Sequence, residues 1–172
     1  FADMRFGFGL AVILMYMVMA AQFESFRDQL LIMLTVPFSG VGVIAALLLT
    51  HMTFNVQSFI GIIVLAGIVV NNSIVLVDYI NRLRRKETEE SWTQLLVTAG
   101  SRRLRPIVMT TLTTTVAMLP LALGWGEGGE LQAPMATVVI GGLLAGMLVS
   151  LGIIPVVYRL FYSLQPERVP SP

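Results

Sequence analysis

From Gln29 to Val77 the chain runs for 49 residues without a charged side chain. A helix rising about 1.5 Å per residue crosses a hydrocarbon core of about 30 Å in roughly 20 residues. The stretch therefore holds two membrane spans joined by a turn, and its one polar interruption, His51-Met52-Thr53-Phe54-Asn55, marks the turn. Three other uncharged stretches are long enough to cross: 18 residues from Phe6 to Phe23, 21 from Pro106 to Gly126 and 28 from Leu131 to Tyr158. Five spans are predicted, near 6–23, 29–50, 57–80, 106–125 and 134–160. A composition that is 56% hydrophobic and only 12% charged, with mean hydropathy +0.82, fits a membrane bundle and not a soluble domain.

Charge placement predicts the orientation. The connection from Asn81 to Arg105 carries seven of the eleven Lys and Arg residues (Arg82, Arg84, Arg85, Lys86, Arg102, Arg103 and Arg105) and is expected on the cytoplasmic side. Alternation then puts Arg27 and the tail with Arg159 and Arg168 inside. The loops around His51 and from Gly124 to Pro134 lack Lys and Arg and fall outside. Phe1 also falls outside, and the first apolar run has no small-residue cleavage motif of a signal peptide. The chain is therefore expected to be part of a longer one. Within the basic connection, Ser91 with Gln94 suggests a capped helix near 91–100, whose apolar stripe is Trp92, Leu95, Leu96 and Ala99 before Gly100. A short amphipathic helix on the cytoplasmic surface is expected there, with a partner-binding helix as the alternative.

Several chemistries are excluded. A net charge of +1 gives no field that points to nucleic acid. The absence of cysteine and the single histidine rule out thiol chemistry, disulfides and zinc sites of the Cys or paired-His kind. No phosphate loop and no nucleophile–base set is present, so neither an enzyme nor a bound cofactor or metal is expected. Met15, Met17 and Met19 scatter around a helix, which suits packing better than a soft-metal path.

Polar residues inside spans are the candidates for function. Asn71 and Asn72 lie in the third span and point about 100° apart, so at least one needs a partner across a helix interface. Adhesion between helices, at about 1 kcal/mol each, and a place on an ion or substrate path both stand open. Asp78 is expected to pair at the interface with an arginine of the adjoining loop. In the fourth span Pro106 suits a helix start, Thr110 shares a face with Thr114, and Thr111 with Thr115. A polar stripe facing the asparagines would form a hydrated path, with Arg103 either closing its cytoplasmic end or snorkelling to headgroups. Small residues, Gly40, Gly42, Ala46, Gly61, Gly67 and Gly142-x-x-x-Gly146, are expected where helices touch.

The motifs Gly67-Ile-Val-Val-Asn-Asn-Ser-Ile-Val-Leu-Val-Asp78, Arg103-Leu-Arg-Pro-Ile-Val-Met-Thr-Thr111 and Leu119-Pro-Leu-Ala, in that order, resemble the last part of a resistance-nodulation-division (RND) efflux permease of the hydrophobe/amphiphile, acriflavine-resistance type. The resemblance covers nearly the whole chain. It implies an all-α membrane protein in which the five spans correspond to the eighth to twelfth of a twelve-span transporter. It also implies proton-driven export of drugs or other amphiphiles from the bacterial inner membrane. The expected partners are the lipid bilayer, the rest of the permease chain, two further copies in a homotrimer, a periplasmic adaptor and an outer-membrane channel. A metal-ion or lipid exporter of the same superfamily, or a non-transporting membrane scaffold, are the alternatives.

The same resemblance implies four ion-coupling positions. Asn72 matches the family's asparagine, Thr110 its relay threonine and Arg103 the arginine at the cytoplasmic end. Asn71 stands where the family usually has lysine, opposite two aspartates of the first half. Two aspartates facing an ammonium sum to one negative charge, whereas facing a carboxamide they sum to two, and like charges at close range disfavour joint ionisation. Either one carboxylate stays protonated over a wider pH range, or a cation such as Na⁺ replaces the ammonium.

Overall fold

The computed structural model describes residues 2–23, 25–86 and 92–163. They form five helices: α1 (Ala2–Gln22), α2 (Phe26–Leu49), α3 (Val56–Lys86), α4 (Trp92–Ala122) and α5 (Gly129–Ser163). All five are long and apolar enough to cross a membrane. The helices outrun the uncharged stretches because backbone hydrogen bonding continues through a polar surface layer. Arg84, Arg85 and Lys86, for example, form the last turn of α3, where they complement the helix dipole.

Two connections are built by local chemistry. At the first, the Asn55 side chain accepts a hydrogen bond from the Ser58 backbone N–H at 3.0 Å, capping α3. At the second, Gly124, Gly126 and Gly128 all have positive φ (71°, 101° and 78°), a conformation that side-chain-bearing residues resist.

The centre of the bundle is a seam of α2, α3 and α5, to which α1 and α4 add buried residues at one end. Gly61–Val138, Leu65–Gly142, Val69–Gly146, Ser73–Ser150 and Asn81–Tyr158 are contacts between α3 and α5, and each pair is 77 residues apart. A constant offset means parallel helices, and a four-residue step means that the i±4 ridges of the two interlock. Against α5, α2 runs antiparallel, with Gly42 meeting Ala145 and Gly141, and Gly141 meeting Ala46. These close approaches need no side chain between the backbones. Gly40 and Gly67 differ from expectation: nothing lies within 4 Å of a Cβ built on either, so they are not contact points within this chain. Along α1 only Met19 is buried, while Met17 is 57% exposed, in keeping with the scatter of the three methionines.

Residues 92–100 are helical, and they continue into the fourth span as one rod. Gly100 does not adopt the left-handed conformation that would end a helix, and Pro106 lies inside α4, not at its start. Leu95, Leu96 and Ala99 are buried in one cluster with Ile80, Ile154 and Tyr158, so packing against α3 and α5 carries the helix past its breakers. The Ser91 cap, the Trp92 side chain and Arg168 lie outside the described residues.

Candidate functional site

Asn71 is the middle residue of α3, and Asn72 follows it toward the basic end. Asn71 is exposed and Asn72 half-buried, and neither has a hydrogen-bond partner among the described residues. Exposed positions recur along the same side of α3 at Ile60, Val64, Gly67, Asn71 and Val75. Steps of four, three, four and four keep them on one face. Among the described residues this face is left exposed, and it carries a carboxamide and a glycine among aliphatic side chains.

The basic end of that helix fixes its relation to α4. The Arg103 guanidinium lies over the Tyr79 ring, 4.6 Å from its centre, and Arg102 donates to the Tyr79 hydroxyl at 3.4 Å. From Tyr79 back to Asn72 is seven residues, and from Arg103 on to Thr110 is also seven. In antiparallel helices both steps lead the same way, about 10 Å deeper, and return to within about 20° of the starting face. By these ideal-helix steps Asn72 and Thr110 come to about the same depth, on the faces that carry Tyr79 and Arg103. They are not hydrogen-bonded to each other: the exposed Thr110 hydroxyl donates to the Pro106 carbonyl at 2.8 Å. The threonines do not form one stripe. Thr111 is 1% exposed, and its hydroxyl, like that of Thr115, is buried with no partner among the described residues. Asp78 pairs with Arg82 at 2.9 Å, one turn along α3. Among the described residues no group of three His, Asp or Glu side chains could hold a metal ion.

Two polar clusters went unread in the sequence. In the first, the Ser73 hydroxyl donates to Val69 O at 2.9 Å and lies 3.3 Å from both Thr35 Oγ1 and Ser150 Oγ, linking α3, α2 and α5. In the second, Asn81 Nδ2 donates to Asp28 at 2.7 Å, the Tyr158 hydroxyl donates to Asn81 Oδ1 at 2.5 Å, and Arg84 donates to the Tyr158 hydroxyl at 3.5 Å. The available signal was polar residues on three different helices, inside the spans for the first cluster and near their ends for the second, which become clusters only once the helices are in register.

Residues 3–162 match the AcrB/AcrD/AcrF family. The chain belongs to that family. Proteins similar to it include the multidrug resistance protein MdtC of Erwinia tasmaniensis, 39% identical over 148 residues, which are 86% of this chain and 14% of the relative. The cobalt-zinc-cadmium resistance protein CzcA of Cupriavidus metallidurans is 35% identical over 151 residues, 88% of this chain and again 14% of the relative. Among solved structures, a heavy metal efflux pump superposes with a TM-score of 0.78 at 34% identity, over 88% of this chain and 15% of that one. The chain thus spans about a seventh of the length of the relatives it matches.

Proposed function

We propose that the chain is the second-half membrane bundle of an RND efflux transporter of the bacterial inner membrane, and that Asn71, Asn72, Thr110 and Arg103 form its side of the ion-coupling site. The observation that carries this reading is the open face of α3. A carboxamide exposed at membrane depth is costly against lipid, and Gly67, one turn away, leaves room for a helix backbone to approach. A helix of the first half docked there would bring its acidic residues against Asn71 and Asn72. The basic ends of α3 and α4 face the cytoplasm in this reading, as does the end of α5. The working form is a homotrimer joined to a periplasmic adaptor and an outer-membrane channel.

Drugs and other amphiphiles are the proposed substrates. Metal ions are the second reading, favoured by the similarity to CzcA and to the heavy metal efflux pump. The full-length permease, reconstituted in vesicles, tests the coupling role. Asn71→Leu and Asn72→Leu are each expected to abolish transport under a proton or a sodium gradient while trimer assembly stays normal. Failed assembly with both variants would instead mark the pair as adhesive, and transport under neither gradient by the unaltered permease would end the coupling reading.

A further inference from the structure

Asp28 is 3% exposed and Tyr158 fully buried, although both lie near the ends of their membrane spans. The hydrogen bonds that join them run one way. Arg84 donates to Tyr158, Tyr158 to Asn81, and Asn81 to Asp28, so a guanidinium and a carboxylate are linked through two aligned neutral dipoles. Each bond in such a chain polarises the next, and the charged terminus at Asp28 strengthens the bond it accepts. The chain crosses three helices: Asp28 is in the first turn of α2, Asn81 and Arg84 are in α3, and Tyr158 is in α5. A polar cavity of about 620 Å³ lies beside it, lined by Asp28, Asn81, Asp78 and Arg82 among others, so this end of α3 is not locked by close apolar packing alone.

Along the rest of the α3–α5 seam the contacts are between glycines and aliphatic side chains, with Ser73–Ser150 as the one other polar pair among those described above. In one direction a one-rung slide only exchanges Leu65–Gly142 for Leu65–Gly146 and Val69–Gly146 for Val69–Ser150, so these rungs resist it weakly. A directional polar chain has only one register in which all its donors meet acceptors. We propose that the Arg84–Tyr158–Asn81–Asp28 chain sets the register of α3 against α2 and α5, and with it the direction in which Asn71 and Asn72 point. Asp28, Asn81 and Tyr158 are then positioning residues for ion coupling, an assignment that rests on the coupling role proposed above.

The test uses the full-length permease in vesicles. Tyr158→Phe, which removes one oxygen, and Asp28→Ala are each expected to lower the maximal transport rate about tenfold or more with substrate KM unchanged, because a coupling group is displaced and the substrate site is not. The double variant should be no worse than either single one, since one chain is broken in all three. Asp28→Asn, which keeps an oxygen facing Asn81, should restore at least half the rate. Where Asp28→Ala fails to assemble, Tyr158→Phe carries the test. Spin labels on cysteines introduced at the exposed Arg85, in the last turn of α3 and off the coupling face, and at the exposed Leu148 report the register of α3 against α5 directly. A changed label distance in Tyr158→Phe supports register-setting. If Asn71→Leu and Asn72→Leu are fully active beside that change, the coupling role fails and register-setting stands. An unchanged distance, or an unaltered rate with an unaltered distance, overturns the proposal.

Discussion

Gly42 of α2 and Gly141 of α5 meet backbone to backbone. A Cβ on Gly42 would lie 2.6 Å from the Gly141 carbonyl oxygen and 2.2 Å from the Ala145 methyl, and a Cβ on Gly141 would lie 2.2 Å from the Ala46 methyl. Neither obstacle is the flexible end of a long side chain, so a substitution must push the helices apart. Gly142 is different, because its nearest neighbour is a terminal methyl of Leu65, which can rotate away.

Gly42→Ala is therefore expected to destabilise the bundle by about 1–3 kcal/mol, the usual cost of overpacking a close contact. Gly40→Ala, two residues away and facing open space, should be neutral or slightly favourable. Thermal unfolding of the two variants in detergent, read side by side in the full-length permease, checks the difference.

The Ser73–Ser150 contact makes a smaller prediction. Hydrogen bonds between membrane helices average about 0.6 kcal/mol in double-mutant cycles, because the separated helices find other partners. A cycle of Ser73→Ala, Ser150→Ala and the double variant should give a coupling energy near that value. A coupling indistinguishable from zero would mean that Ser73 is satisfied by the Val69 carbonyl and Thr35 alone.

At the basic end, the stack of Arg103 on Tyr79 ties α4 to α3. Tyr79→Phe keeps the ring and should leave stability within about 0.5 kcal/mol, whereas Tyr79→Leu should cost about 1 kcal/mol more by removing the cation–π contact. The same order is expected in transport assays of the full permease if Asn72 and Thr110 act together as proposed, since the contact ties α4 to α3. Equal behaviour of the two variants would show that the ring has no part in holding α4.

The five helices, the basic end and the candidate polar residues follow from the sequence alone, because crossing a bilayer demands long uncharged runs and leaves charge only at their ends. Asp78 illustrates how far such reading goes. An arginine partner was expected and is found, but as Arg82 in the same helix and not in a loop. Which small residues lie in contacts was not legible. Gly40 and Gly42 are both glycines in one apolar helix, and only the crossing with α5 separates the one that faces open space from the one that touches a backbone. The continuous α4 was equally out of reach, since the packing of Leu95, Leu96 and Ala99 against distant residues outweighs the local signals of Gly100 and Pro106. Thr110 and Thr111 are adjacent, yet one is exposed and the other buried, and nothing in their local spacing says which way the helix turns. The chain from Arg84 to Asp28 exists only because α3 and α5 run parallel at an offset of 77 residues while α2 runs against both. Periodicity fixes which residues share a face, but the register between helices is a property of their contacts, and only the folded bundle decides it.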